Sequence, residues 1–270
     1  MSESERFREY INWLKEQELS DNTIKAYVND LSVYVNMQGW EFTKEKIVDF
    51  KWKMAELKKP KTVNHYIVAL KSFCKFKGIQ CDVKKMKIQQ LSYVENVMTL
   101  EQFNTLIEGL KKDGKEKYAA YISLPAKTGA RVSEFLKFTK KDLDRGYAEL
   151  FTKGKIRTIY FPKKFCDEMK TVFGDLKENE LLVRNKYGEP ITTSGFRQIL
   201  KKWAKKYGIP EKVAHPHSLR HLFAKEFIKR NPDISLLADI LGHSGVNTTM
   251  IYTRNSKEEQ IEKLNRTVDW

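Results

Sequence analysis

Cysteine is scarce in this 270-residue chain: there are three, Cys74, Cys81 and Cys166, with no C-x-x-C spacing. So small and scattered a set points to neither a disulfide framework nor a zinc knuckle, and it fits a reducing compartment. Long apolar runs are missing as well. None approaches the roughly 18 residues that a membrane span requires. The opening stretch, MSESERFREYINWLKEQ, is charged and has no apolar segment of the secretory kind, so a cytoplasmic location is expected. Several catalytic signatures are also absent. No G-x-S-x-G elbow marks a serine hydrolase. No glycine-rich run cradles a phosphate, and no dense carboxylate cluster suits two-metal phosphoryl transfer.

Negative charge is in deficit. Fifty Lys and Arg stand against thirty-five Asp and Glu, for a formal charge of +15. An excess of that size favours a polyanionic partner, above all nucleic acid, through counterion release. The plainer alternative is a protein that is merely basic. A hydrophobic fraction of 41% supports real cores, and the length suits one large domain or two ordinary ones.

Residues 1 to 90 read as four short helices with no strand signal. Phe7, Tyr10, Ile11 and Leu14 recur at helical spacing, and so do Ile24, Tyr27, Val28, Leu31 and Tyr34. Ser20 or Asp21 supplies the cap of the second helix. Ile47, Val48 and Phe50 mark a third helix, ended by Pro60. Thr62 caps a fourth, with Val63, Tyr66, Ile67, Leu70 and Phe73 on its apolar side. The aromatics read as core. Lysines such as Lys25, Lys53, Lys61 and Lys75 fit a solvated face or a surface laid on DNA. Residues 91–96 read as the end of a short basic linker.

From residue 97 to 270 the pattern is mostly helical. Thr99 begins a capping box. Thr128-Gly129 turns the chain, and Arg131 follows at the start of a helix opened by Ser133 and Glu134. A helix start suits an anion, although a lone arginine there is more often a surface or salt-bridged one. Runs 147–152 and 156–161 form a β-hairpin around Lys153-Gly154-Lys155. A tip lysine is ordinarily idle, but it can also swing into a cleft as a proton donor. Ser194 caps a basic helix that runs to Tyr207. Asp233 caps a helix from Ile234 to Leu241 that Gly242 ends, leaving His243 at a helix-to-loop junction.

Four of the five histidines lie between His215 and Tyr252. His217 and His221 have zinc-like spacing, but no glutamate lies between them and Arg220 would repel a cation. No metal or cofactor is expected. What remains is a group of cations and a tyrosine. Arginines pair with phosphate oxygens and stabilise transition-state charge. Histidine moves protons, and tyrosine is a covalent nucleophile for phosphorus when cations stabilise its phenolate.

These residues resemble those of the tyrosine recombinases, or phage-type integrases, and most closely the compact Xer-like members. Thr128-Gly129-Ala130-Arg131-Val132-Ser133-Glu134 looks like the first-arginine box of that family. Lys153 matches its hairpin lysine, with Lys155 the alternative because the loop is one residue shorter than the usual pattern. His217-Ser218-Leu219-Arg220-His221 resembles the His-x-x-Arg box. Leu241-Gly242-His243-Ser244 followed by Tyr252 resembles the box that holds the nucleophile.

The resemblance implies a mainly α fold with a small β-hairpin: an N-terminal helical core-binding domain (1–90), a linker (91–96) and a catalytic domain (97–270). It implies that Tyr252 attacks the scissile phosphate to give a 3′-phosphotyrosine, while Arg131 and Arg220 clamp the phosphate. His243 would hydrogen-bond a non-bridging oxygen, His217 would manage the tyrosine proton, and Lys153 would protonate the leaving oxygen. Glu134 and His221 would act from behind these groups. The implied partner is double-stranded DNA carrying core sites, bound by a homotetramer that exchanges C-terminal helices and works through a Holliday junction without metal or ATP. The protein would be nucleoid-associated if cellular, or in the host cytoplasm if viral or plasmid-borne. Two other readings stand beside this one: a type IB topoisomerase-like relaxing enzyme, and a non-catalytic DNA-binding protein.

Overall fold

The computed structural model describes residues 7–88, 96–152, 155–242, 245, 249–253 and 257–268. The chain divides into two compact units, Met1–Gln90 and Leu91–Trp270. The first is built from helices α1 (Arg8–Glu16), α2 (Asp21–Gln38), α3 (Lys44–Leu57) and α4 (Pro60–Phe76). Ser20 provides the α2 cap, its hydroxyl accepting from the Thr23 N–H at 3.3 Å. Proline 60 does not end α3 but opens α4: its missing N–H and fixed φ suit the first position of a helix, which moves the cap from Thr62 to Lys59. Phe7, Tyr10, Tyr34, Phe42, Phe50 and Phe73 are buried in one aromatic-rich core, in which the Phe42 and Phe73 rings lie 4.5 Å apart. Residues 81–88 form neither helix nor strand, yet they are pinned to this unit. The Asn64 side chain accepts from Met86 N at 2.7 Å and donates to Met86 O at 3.0 Å.

The second unit begins with α5 (Leu100–Lys112), whose capping box pairs Thr99 with Gln102. Its central helix is α6 (Glu116–Thr128), buried continuously from Ala119 to Ala126. Two short helices follow, α7 (Val132–Phe135) and α8 (Lys140–Arg145). Strands β1 (Tyr147–Thr152) and β2 (Lys155–Tyr160) then pair antiparallel in a two-stranded sheet. The register sets Thr152 opposite Lys155, so Lys155 belongs to the strand and the connection is Lys153-Gly154, two residues rather than three. Helix α9 (Lys163–Phe173) precedes α10 (Thr193–Lys206), which is capped by the Thr192 hydroxyl and not by Ser194.

Helix α11 (Pro216–Arg230) starts at its proline and is capped by His215, whose Nδ1 accepts from Ser218 N at 3.1 Å. His217 is therefore already helical. Asp233 caps α12 (Ile234–Leu241), and Gly242 ends it at φ +61. A 3-10 turn, Met250–Thr253, leads to α13 (Lys257–Thr267). The fold is mainly helical with one small hairpin. No helix among the described residues is long and apolar enough to cross a membrane.

Candidate active site

Five segments of the second unit converge: the turn after α6, strand β2, helix α11, the C-terminal end of α12 and the 3-10 turn that carries Tyr252. Arg220 lies in the second turn of α11 and is only 1% exposed. A buried guanidinium must be fully engaged, because an uncompensated buried charge costs several kcal/mol. Nη1 of Arg220 donates to the Gly129 carbonyl at 2.6 Å, and Nη2 donates to the Leu241 carbonyl at 2.7 Å. The same side chain is hydrogen-bonded to Tyr252. Burial, then the charge of Arg131, pushes Arg220 down from 12.5 to about 10, which leaves it cationic at neutral pH.

Arg131 precedes α7. Its side chain is 41% exposed and is the most accessible of the arginines here. Nη1 pairs with Glu134 Oε1 at 2.9 Å, and Nη2 donates to the Gly242 carbonyl at 3.2 Å. Glu134 reaches back to accept the Arg131 backbone N–H at 2.7 Å. A second guanidinium, that of Arg157 on β2, also pairs with Glu134 Oε1 and donates to the Ile240 carbonyl at 3.1 Å. Burial acts to raise Glu134, but the Arg131 N–H and the two arginine charges outweigh it and hold the carboxyl below its usual range. Thus Arg157, Arg220 and Arg131 take the carbonyls of Ile240, Leu241 and Gly242 in succession. Those are groups that a helix end leaves without partners in its own ladder.

Tyr252 is buried in a small apolar cluster with Ala224, Leu237 and Leu241. Its ring meets the His221 ring at 4.9 Å, and His221 meets His217 at 4.4 Å, both edge-on. His217 is exposed as a residue, but desolvation of its ring and the charges of Arg220, His215 and Arg131 hold its pKa below the ordinary 6.5. His215 serves structure. Besides capping α11, its Nε2 lies 3.1 Å from the Asn96 carbonyl. Among the described residues, no group of three or more His, Cys, Asp or Glu side chains converges.

The sequence expectations Arg131, Glu134, His217, Arg220, His221 and Tyr252 are thus brought together. Lys153 and His243 lie outside the described residues. Arg157 was not singled out. A signal for it existed in the hairpin alternation: Leu150 and Arg157 share a face with buried Ala148 and Ile159, while Phe151 and Ile156 point outward at 74% and 72% exposure.

A phenol hydrogen-bonded to a buried arginine, with the His221 ring beside it and two further guanidiniums on the same helix end as that arginine, is a set of groups suited to stabilising charge on a phosphate. Residues 96–259 match the Phage integrase family, and the chain belongs to that family as a Xer-like tyrosine recombinase. It is 30% identical over 273 residues to tyrosine recombinase XerA of Pyrococcus furiosus, covering 97% of this chain and 94% of that protein. Tyrosine recombinase XerD of Listeria innocua is 31% identical over 277 residues, or 90% of this chain and 91% of that one. The fold is also that of XerH site-specific recombinase, solved bound to a palindromic difH substrate in a post-cleavage complex. There the TM-score is 0.75 at 19% identity, covering 98% of this chain and 84% of that chain.

Proposed function

We propose that this tyrosine recombinase cuts and rejoins DNA at core sites through Tyr252, by way of a 3′-phosphotyrosine and a Holliday junction. The observation that carries the reading is the hydrogen bond between the Tyr252 phenol and buried Arg220. It puts the nucleophile on the cation that stabilises the phosphoryl charge. The Tyr252 oxygen bonds to phosphorus and the bond from phosphorus to the 5′-oxygen breaks. Arg131 and Arg220 hold the non-bridging oxygens, joined there by His243. Neutral His217 accepts the phenol proton, and its lowered pKa keeps it in the accepting form at pH 7. Lys153 protonates the departing oxygen. Glu134 keeps Arg131 in place, and His221 buttresses the tyrosine ring.

In this reading residues 1–90 are the core-binding half, 91–96 the linker and 97–270 the catalytic half, and four protomers act on two duplexes. The C-terminal helix supports that assembly. Ile261 and Leu264 of α13 are exposed. The second unit carries an apolar groove of about 320 Å³ whose lining includes Leu100, Phe103, Leu222, Phe223 and Phe227. A helix from a neighbouring protomer fits such a groove.

The test is a nicked suicide duplex carrying a site selected by the protein from random sequence. An SDS-resistant adduct is expected with the wild-type chain and not with Tyr252→Phe. Relaxation of plasmids that lack the site, without site pairing, would favour a topoisomerase-like activity instead. Binding without any adduct would leave a DNA-binding protein.

A further inference from the structure

His217 is the second residue of α11, behind Pro216. The N–H groups of a first turn have no acceptors in the helix's own ladder, and helix ends fray there. This end is tied down from outside. The buried Ser218 hydroxyl accepts from the Met98 N–H at 2.7 Å. The His215 ring accepts from the Ser218 N–H at 3.1 Å through Nδ1. With Nδ1 accepting, Nε2 carries the ring hydrogen and donates it to the Asn96 carbonyl, 3.1 Å away. A cap alone needs only a short side-chain oxygen, such as that of serine or asparagine. The imidazole does more, because it also spans to Asn96. The segment it reaches is itself anchored: the Met98 side chain is buried in the core of the second unit. Asn96 takes a left-handed φ of 58, a conformation that asparagine tolerates better than most residues, and its carbonyl is the one that meets His215. Residues 215 and 218 thus clasp 96 and 98, and His217 lies between the two clasped positions. Its ring meets that of His221 at 4.4 Å, which in turn meets that of Tyr252 at 4.9 Å.

We propose that His215 and Ser218 are positioning residues for DNA cleavage: by clasping Asn96 and Met98 they fix the first turn of α11 and hold His217 in place beside the tyrosine. This rests on the reading of His217 as the acceptor of the Tyr252 proton. Neither residue touches the reacting atoms. Each acts through His217, which without the clasp sits on a turn that its own helix does not secure. A proton acceptor displaced by about 1 Å loses up to about 100-fold in rate, so the fixing of this turn is felt in the chemical step.

The experiment is a double-mutant cycle. Single-turnover adduct formation on the suicide duplex is followed at saturating protein for the wild type, His215→Ser, Ser218→Ala and His217→Gln, and for each of the first two combined with His217→Gln. Serine at position 215 still offers a capping oxygen to Ser218 but falls short of Asn96. His217→Gln is expected to slow cleavage about 100-fold. His215→Ser and Ser218→Ala should each slow it about 10-fold or more when His217 is present. Once His217 is replaced, each should cost less than about twofold, because a residue that acts through His217 then has nothing left to place. A residue that merely stabilises the fold slows both backgrounds alike, and equal losses overturn the inference while leaving His217 as the acceptor. A His215→Ser rate within about twofold of the wild type overturns it too. Wild-type cleavage by His217→Gln removes the acceptor assignment itself, and the inference with it. Should His215→Ser not fold, His215→Asn, which also supplies a capping oxygen, goes through the same cycle and decides.

Discussion

Arg157 and Arg220 hold neighbouring carbonyls, those of Ile240 and Leu241, at 3.1 and 2.7 Å. Arg131 takes the next, on Gly242. The last carbonyls of a helix carry its partial negative charge and lack donors within the helix. Three guanidiniums supply those donors here, so the end of α12 gathers the cations of the site. It does so immediately before the segment that holds His243. The arginines come from three distant parts of the sequence, and one helix terminus sets their spacing.

Gly242 is where that arrangement is most sensitive. Its φ of +61 disfavours any side chain, and a Cβ would collide with the Arg157 stem. Gly242→Ala should lose about 1–2 kcal/mol from the backbone alone, read as a lower urea midpoint at unchanged slope. Adduct formation should fall as well, because Arg157 has to move.

Arg220→Lys tests the fork. An ammonium cannot serve the Gly129 and Leu241 carbonyls and the phenol with the same planar geometry. Each buried carbonyl left unpaired costs about 1–3 kcal/mol. Cleavage should drop by about 10²–10³, as for loss of a transition-state donor. Near-normal single-turnover cleavage by this variant would remove Arg220 from the clamp.

Glu134 makes stability depend on acid. Its folded-state pKa lies below the ordinary carboxylate value, so its contribution is present above the unfolded pKa, about 4.3, and is lost as pH falls through the lower, folded value. The thermal midpoint of the wild type should therefore fall more steeply below about pH 4.3 than that of Glu134→Gln. At pH 7 the variant should be the less stable of the two, since two guanidiniums lose their counterion. Parallel curves for the two proteins would contradict the assignment.

With His217 as the proposed proton acceptor, the acid limb of cleavage is expected to follow its titration. Its pKa lies below 6.5, so the proton-accepting form persists into mildly acidic solution and is lost as pH falls through the folded value. The single-turnover rate should hold at pH 6.5 and decline below it, and His217→Gln should be slower and lack that limb. A limb centred at or above 6.5 would point to a different acceptor.

Much of this was legible in the sequence. Asp233 and Gly242 bracket α12 because a capping carboxylate and a left-handed residue are what helix ends require, and the structure has both. Tyr34 and Phe73 fell on apolar faces and are buried. Starts and caps were less legible. Pro60 and Thr192 show that proline can open a helix as readily as follow one, and that neighbouring hydroxyls compete for a cap. The partners of Arg220 could not be read from the sequence, because only the fold supplies the Gly129 and Leu241 carbonyls. Arg157 was hidden for the same reason. Its partners lie 23 residues away at Glu134 and 83 away at Ile240.

The most direct test of the account is to map the covalent bond. The adduct formed on a suicide duplex is digested with protease and nuclease, and the modified peptide is sequenced by mass spectrometry. The account predicts one nucleotide remnant, joined through its 3′-phosphate to Tyr252. A remnant on any other of the twelve tyrosines, or on a 5′-phosphate, would contradict it.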